Sequence, residues 1–264
     1  MEIIAVCNIK GGVGKTTTAV NLAYLSAHAG WSTVLWDLDS QGAATWILRG
    51  IAPDDAKARK LVHGKRELDE LLIETGYDNL DLLPADFSYR KFDVHLAERK
   101  HPAERLLRMS RPLRAKYAAM FLDCPPGMSL LSESILRAAD ALVVPLLPTP
   151  LSLRTLEQLH EFILRRGWHD LVLLPFLSMV DRRKALHMEA TAQVRERFPA
   201  TLATEVPYWS DIERMTVRRA PLPAYAPKSP ATRVYQELWD EIDRRLQETR
   251  GTSTRAAAGV AGRQ

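Results

Sequence analysis

The segment that decides the fold lies at the start of the chain and has the sequence EIIAVCNIKGGVGKTT, residues 2–17. Its first part, Glu2–Asn8, is apolar and rich in Ile and Val, which predicts a buried strand. The stretch Thr16–Ala29 is typical of a helix, and Gly30 follows where a glycine commonly ends one. The glycine-rich stretch therefore connects a strand to a helix, as a phosphate-binding loop does.

The chemistry of this loop predicts a bound ATP with Mg²⁺. Glycines let the backbone turn sharply and direct its N–H groups at phosphate oxygens, and the next helix adds its positive end. We expect Lys15 to reach the β- and γ-phosphates, Thr16 to ligate Mg²⁺ and Thr17 to hold the α-phosphate. The predicted nucleotide-binding residues of the loop are Lys10, Gly11, Gly12, Val13, Gly14, Lys15, Thr16 and Thr17.

The composition is typical of a soluble globular protein. The chain has 264 residues, of which 46% are hydrophobic and 26% charged. No apolar run approaches the roughly 20 residues of a membrane-spanning helix, and no secretory signal is evident, so we expect a cytoplasmic protein. Cys7 and Cys124 form no Cys-x-x-Cys pair, which favours two small buried side chains over a metal or redox site.

Strand-like and helix-like segments alternate along the chain. Further strands are expected at Thr33–Asp37, Leu80–Pro84, Ala118–Asp123, Ala141–Pro145, Leu171–Met179 and Thr204–Pro207. Further helices are expected at Lys91–Arg108 (with a break possible at Pro102), Leu130–Ala139, Leu151–Arg166, Leu186–Phe198 and Thr232–Glu248. This alternation predicts an α/β fold, a doubly wound, mostly parallel sheet with helices on both faces. We expect one ATPase domain over residues 1–248 and a disordered tail over residues 249–264.

Acidic residues stand at the ends of two predicted strands. Asp37 and Asp39 lie on the same side of their strand, at the edge where doubly wound sheets bind ligands. The apolar residues that lead to Asp123 form a Walker-B-like strand, so we expect this carboxylate to reach the metal through water. For Asp37 a structural role and a functional role are equally plausible from sequence.

The motifs around these residues resemble the ParA/MinD family of ATPases, in its ParA branch. The loop has Ile9 where the standard phosphate-loop pattern has glycine, and it carries Lys10 as the family's additional lysine. Residues 37–42, Asp-Leu-Asp-Ser-Gln-Gly, match a second family motif except that Ser40 replaces proline. Residues 123–126, Asp-Cys-Pro-Pro, match a third. The resemblance extends over most of the chain and weakens in the last third.

The resemblance implies a homodimer that holds ATP between its subunits and hydrolyses it slowly. Asp39 would orient the attacking water and contribute to the Mg²⁺ shell, while Lys10 would reach the phosphates of a partner subunit. The segments that contain Met179 and Pro207 would lie beside the adenine. The expected catalytic residues are therefore Lys10, Lys15 and Asp39, and the expected metal-binding residues are Thr16, Asp39 and Asp123.

The distribution of charge points to a polyanion partner. The net charge is +4, and residues 181–235 hold the whole excess, with 10 basic and 6 acidic side chains. Such a segment favours nonspecific double-stranded DNA bound through phosphates, with an ordinary solvated face as the alternative. The preferred DNA-binding candidates are Arg218 and Arg219, with Arg195 as a third. Other basic candidates in the segment are Lys184, Arg197, Arg214, Lys228 and Arg233.

The resemblance also implies partners and a place in the cell. We expect a ParB-like protein or a cargo adaptor that stimulates hydrolysis. We also expect a cytoplasmic, nucleoid-associated location without membrane binding. In this interpretation the protein partitions or positions DNA or a protein cargo.

Other classes of protein remain open at this stage. A MinD-type membrane-associated ATPase would use an amphipathic C-terminal helix, and Trp239, Ile242 and Leu246 have helical spacing. We expect these three to pack in the core, because the opposite face is acidic. An ATP-dependent amide synthase and a module that binds ATP without hydrolysis are further alternatives. A nitrogenase-type iron protein would need cluster cysteines that this chain does not have.

Overall fold

The strands that the structure describes form one eight-stranded sheet. The computed structural model describes residues 1–53 and 57–261, with side chains up to residue 249. The strands are β1 Glu2–Val6, β2 Thr33–Asp37, β3 Ile73–Tyr77, β4 Leu80–Leu83, β5 Ala119–Asp123, β6 Ala141–Leu146, β7 Val172–Val180 and β8 Glu205–Pro207.

The helices connect these strands in chain order. They are α1 Lys15–His28, α2 Ala43–Ile47, α3 Ala58–Val62, α4 Phe92–Ala97, α5 Arg105–Ser110, α6 Leu130–Ala138, α7 Pro150–Arg165, α8 Ala185–Arg197, α9 Ser210–Glu213, α10 Met215–Arg218, α11 Leu222–Tyr225 and α12 Pro230–Ala261. Short 3₁₀ segments lie at Asp69–Leu71, Phe87–Lys91, Pro102–Glu104 and Arg111–Ala115.

The topology of the sheet places β1 at its centre. The strand order is β3-β4-β2-β5-β1-β6-β7-β8, and every neighbouring pair is parallel except β3 and β4. Parallel neighbours need crossover connections, which put helices on both faces of the sheet. The predicted α/β fold with a mostly parallel sheet is confirmed. Its carboxyl edge gathers the ends of β1, β2 and β5, where Asp37 pairs in register with Asp123.

An apolar cluster covers each face of the sheet. Along β5, Met120 and Leu122 join one cluster and Phe121 the other, because successive strand side chains alternate in direction. Each fully buried side chain of this size contributes about 1.5–3 kcal/mol. The first cluster includes Ile135 of α6 and Leu156 of α7, and the second includes Val20 of α1 and Trp239 of α12. The two clusters hold the central strands, and therefore the carboxyl edge of the sheet, in fixed positions.

The predicted helix Lys91–Arg108 is divided, in agreement with the possible break at Pro102. It consists of α4, a 3₁₀ segment that begins at Pro102, and α5, because proline interrupts helical hydrogen bonding. One strand differs from the expectation. The edge strand β3 was not expected, since its residues alternate only between half-buried and exposed and include Gly76. It pairs with β4 in antiparallel fashion and carries little hydrophobic signal.

The C-terminal helix contributes to the core. Trp239, Ile242 and Leu246 are at most 2% exposed, so the predicted core packing of this face is confirmed. The side chains from residue 250 onward lie outside the described residues, as do residues 262–264 altogether. The expected tail over residues 249–264 and the expected domain over residues 1–248 stay predictions.

Candidate nucleotide-binding site

Hydrogen bonds from β6 and from the loop after β5 fix the loop that joins β1 to α1. Buried Asn8 donates through Nδ2 to the Pro145 carbonyl oxygen at 2.7 Å and accepts from the Lys10 backbone N–H at 2.9 Å. The Gly127 N–H donates to the Ile9 carbonyl at 2.9 Å. The loop therefore starts from a rigid position on the sheet. Sequence reasoning did not single out Asn8, because a lone Asn after a strand has no distinctive signal.

Glycines are required within the loop for two reasons. Gly12 and Gly14 have φ values of +71° and +91°, which L side chains rarely adopt. A Cβ atom on Gly14 would also lie 3.3 Å from Ser178 Oγ at the end of β7. These two constraints explain why the turn that leads into α1 contains glycine at both positions.

Lys15 is the first residue of α1 and is buried in the loop. Its Nζ donates to the Lys10 carbonyl oxygen at 3.0 Å, so the ammonium group lies inside the curve of the loop. Lys10 is half-buried, while Gly11 and Gly12 are exposed. No acidic residue lies in the first turn of α1. The loop therefore combines lysine charge with the positive end of a helix, which suits a phosphate chain.

Asp123 is a buried carboxylate whose two oxygen atoms have no hydrogen-bond partner within the described part of the chain. Burial raises the pKa of Asp123 well above its usual value and the charge of Asp37 adds to this, whereas Thr16 and Lys15 act in the opposite direction. An unpaired buried carboxylate is unfavourable, and a hydrated divalent cation would satisfy it. The side chains at this point therefore fit Mg²⁺.

Asp37 has a structural role in the site. Its Oδ2 accepts from Thr45 twice, from the backbone N–H at 2.8 Å and from Oγ1 at 2.7 Å. Burial raises the pKa of Asp37 to about 6, although these hydrogen bonds act to lower it. Thr45 Oγ1 also accepts from the Ala85 N–H at 2.8 Å. Asp37 thus fastens α2 to the ends of β2 and β4.

Asp39 lies in the short loop that leads from β2 to α2. It is half-buried, its N–H donates to Asp37 Oδ1 at 3.2 Å and its Oδ1 accepts from the Gln41 N–H at 3.0 Å. Its charge contributes to the raised pKa of Asp123. The two acidic residues predicted near the metal are therefore brought together at the carboxyl edge. Gly42, with φ +65°, is the N-cap of α2.

A cleft with a largely apolar lining lies beside the loop. Its lining includes Gly14, Thr17, Met179 and Pro207. Met179 has φ +57° at a register shift between β7 and β8, which directs this segment over the loop. The structure thus brings both predicted adenine-side residues next to the predicted phosphate loop. The lining also includes residues that sequence reasoning missed, among them Trp209, Ile212, Met215 and Tyr235.

Comparison with known proteins agrees with this geometry. A family described as an AAA domain matches residues 1–166. Sporulation initiation inhibitor protein Soj of Bacillus subtilis is 30% identical over 250 residues, which cover 91% of this chain and 98% of Soj. The chain belongs to the ParA/MinD family of ATPases. Chromosome partitioning protein ParA of Myxococcus xanthus is 35% identical over 203 residues, covering 75% of this chain and 71% of that protein.

A solved structure has the same fold over nearly the whole chain. Cobyrinic acid a,c-diamide synthase from Mycobacterium smegmatis, crystallised with an ATP analogue and magnesium, superimposes with a TM-score of 0.80 and 27% identity. The match covers 93% of this chain and 95% of that one. These comparisons confirm the predicted family, the predicted fold and the predicted class of ATPase. Among the described helices of this ParA/MinD-family protein, none has the length and apolar character needed to cross a membrane.

A basic surface lies where α2 meets α10. Trp46 Nε1 donates to the Thr216 carbonyl at 3.0 Å, and the Arg219 guanidinium lies 4.0 Å from the centre of the Trp46 ring. Arg49 donates to the Arg219 carbonyl at 3.1 Å across a sequence separation of 170 residues. The predicted DNA-binding residues Arg218 and Arg219 thus lie next to Arg49. Sequence reasoning missed Arg49 because no local pattern connects these two parts of the chain.

Arg195 does not lie on this basic surface. It belongs to α8 and donates to the Ala203 carbonyl at 2.9 Å and to Glu205 Oε1 at 3.0 Å, where β8 begins. By contrast, α10 follows the end of β8, and Arg218 is exposed with no ion-pair partner among the described residues. The structure therefore brings Arg218 and Arg219 together but leaves Arg195 apart, and a role of Arg195 in DNA binding stays a prediction.

Proposed function

We propose that this ParA/MinD-family protein is an ATP-controlled switch. In this proposal it binds ATP with Mg²⁺, forms a homodimer around the nucleotide and binds nonspecific double-stranded DNA in that state. Slow hydrolysis, stimulated by a ParB-like protein or a cargo adaptor, then releases the DNA and positions a DNA or protein cargo. The location that follows is the nucleoid.

In this proposal, different residues of the site bind the phosphates, the base and the metal ion. The loop N–H groups and Lys15 bind the phosphates, and the apolar cleft that includes Met179 and Pro207 holds the base. In this proposal Thr16, Asp39 and Asp123 hold Mg²⁺, which would neutralise charge on the phosphates when bound. Asp39, on the exposed side of this group, orients the attacking water.

The observation that carries the proposal is the double connection between the nucleotide site and the basic surface. On one side, α2 begins at Ala43, directly after the Asp39 loop and its N-cap Gly42, and its Trp46 contacts α10. On the other side, Met215 and Thr216 of α10 line the base cleft. Both parts of the nucleotide site therefore contact the same arginine-bearing segment. This arrangement supports DNA binding that depends on the bound nucleotide.

Lys10 supplies the link between nucleotide and dimer. Its backbone is fixed by Asn8, but its side chain is only half-buried and extends from a loop whose glycines are exposed. A cation in this position bridges to the phosphates of a second subunit. Since that contact exists only with the full triphosphate chain, the ATP state favours the dimer and the ADP state releases it.

The test measures ATP hydrolysis and co-sedimentation with nonspecific double-stranded DNA, with ATP, ADP or no nucleotide, at low and moderate salt. We expect binding that requires ATP and weakens as salt rises. Arg218→Glu should remove DNA binding and leave basal hydrolysis unchanged. Arg165→Glu is the matched control, because Arg165 is an exposed arginine of α7 that is paired with Glu161 at 3.2 Å and is not one of the DNA-binding candidates. Equal DNA binding by the two variants would contradict the proposal.

An ATP-dependent amide synthase is the second candidate, favoured by the structural similarity to the diamide synthase. It predicts hydrolysis that depends on an added carboxylic acid and an amine donor, with no effect of DNA. A membrane-associated switch predicts ATP-dependent binding to anionic phospholipid vesicles instead. The buried Trp239, Ile242 and Leu246 argue against membrane binding through the described part of α12.

A further inference from the structure

Three potential metal ligands meet between α3 and α4, at a cluster that the nucleotide site does not use. His63 directly follows α3, His95 lies within α4 and Glu98 follows its last residue. One nitrogen or oxygen atom from each of the three lies within 4.8 Å of the other two. His63 Nε2 is 2.9 Å from Glu98 Oε2, and His95 Nδ1 is 3.9 Å from Glu98 Oε1. On α4, the spacing of three residues puts His95 and Glu98 on one face.

An unsatisfied nitrogen distinguishes this cluster from an ordinary surface ion pair. His95 Nδ1 is inaccessible to solvent and has no hydrogen-bond partner within the described part of the chain. Buried polar atoms nearly always have a partner, and an imidazole lone pair without one is a ready metal ligand. The distance of 3.9 Å to Glu98 is too long for a hydrogen bond but suits two ligands of a shared ion. Tetrahedral Zn²⁺ ligands at about 2.0–2.1 Å from the ion are about 3.3 Å apart.

We propose that His63, His95 and Glu98 form a Zn²⁺ site with an open coordination position. Two imidazoles and one carboxylate are a donor set typical of Zn²⁺, whereas Mg²⁺ prefers oxygen ligands alone. The side chain of Glu98 is 48% exposed, so water has access to the fourth position. The histidine side chains are 23% and 14% exposed and are held by the packing of their helices. The site therefore differs in chemistry and place from the oxygen ligands predicted for Mg²⁺.

Zinc at this point would fasten α3 to α4. The two helices already pack together through Leu61 and Val62 on one side and Phe92 and Leu96 on the other. α3 has only five residues, so packing supplies most of its stability. Arg105 donates to the Leu61 carbonyl at 3.1 Å and brings a positive charge to the same turn, which lowers the affinity for a cation. Bound Zn²⁺ would therefore add a reversible link between α3 and α4.

The test is a Zn²⁺ titration of the full chain in Mg²⁺ buffer, in competition with a chromophoric chelator. We expect one Zn²⁺ per chain, and at least about ten-fold weaker binding in His63→Ala and His95→Ala. His169→Asn is the control, because His169 is exposed and outside the cluster. It should bind Zn²⁺ as the wild type does. X-ray absorption should show nitrogen and oxygen ligands only.

Three results would overturn the assignment. The first is no Zn²⁺ binding by the wild-type chain. The second is equal binding by the wild type and both histidine variants, which would indicate an adventitious ion only. The third is sulfur in the ligand shell, which would place the ion at a cysteine. If a histidine variant does not fold, the exposed Glu98→Gln decides, since that change preserves the volume of the side chain and should still weaken Zn²⁺ binding.

Discussion

Two neighbouring buried aspartates should respond in opposite directions to the same substitution. Asp123 has no hydrogen-bond partner among the described residues, and burial raises its pKa. We expect Asp123→Asn to remove the unfavourable buried charge and to increase the free energy of unfolding of the nucleotide-free protein by about 1–3 kcal/mol. For a domain of this size, that corresponds to a rise in Tm of roughly 3–10 °C.

Asp37 is the matched control because it is equally buried and pairs with Asp123 in the sheet. Its oxygens accept two hydrogen bonds from Thr45 and one from the Asp39 N–H. An Asn amide at this position would turn one acceptor into a donor that faces another donor. We therefore expect Asp37→Asn to reduce the free energy of unfolding by about 1–3 kcal/mol.

The assay is chemical and thermal unfolding of both variants, without ligand and with ATP plus either Mg²⁺ or a chelator. Asp123→Asn should gain stability without ligand, while the extra stabilisation by Mg²⁺ over the chelator disappears. A loss of stability in nucleotide-free Asp123→Asn would refute the assignment of Asp123 as an unpaired ligand. An undiminished response to Mg²⁺ would refute it as well.

Three further predictions test other parts of the molecule. Lys10→Ala should still bind ATP but should not dimerise with it, and a normal dimer in size-exclusion chromatography would contradict the role of Lys10. Trp46→Ala removes an exposed cation–π contact and a hydrogen bond, which together contribute about 1–2 kcal/mol. The affinity for DNA in co-sedimentation should therefore fall about 5–30-fold, while the affinity for ATP stays unchanged. An equal loss of both affinities would show a structural defect instead. Glu241→Ala removes three hydrogen bonds between α12 and the segment before β8 and should cost about 1–3 kcal/mol in urea unfolding. Burial raises the pKa of Glu241, but these hydrogen bonds outweigh it and hold the pKa below its usual value. The stabilisation by Glu241 is therefore present above about pH 4.3 and is lost as the pH falls. An effect of Glu241→Ala on stability that is independent of pH would contradict this.

The central part of the fold and of the site could be predicted from sequence because its signals are local. The strand Glu2–Val6, the glycines after it and helix α1 follow one another without interruption, and the ends of β2 and β5 are marked by acidic residues after apolar runs. In a parallel sheet, such strand ends must meet at one edge. The placement of Asp39 and Asp123 near the loop therefore follows from chain order and the rules of packing.

The parts that sequence did not predict depend on contacts distant in the chain. Helix α2 has five residues and is held by the hydrogen bonds from Thr45 to Asp37 rather than by helix propensity. Arg49 joins the basic surface only through a segment about 170 residues away. β3 is an edge strand without a continuous buried face, so its apolar pattern is too weak to distinguish it from a loop.

The polarity of the sheet offers a practical site for labelling the protein in cells. Every predicted nucleotide and metal residue lies at or beyond the carboxyl ends of the strands or at the start of α1. The turn at residues 167–170 lies at the opposite edge, before β7. Gly167, His169 and Asp170 are exposed there. A fluorophore or a small fluorescent domain inserted in this turn would leave both termini and the nucleotide site untouched, and its position would report where in the cell the protein lies.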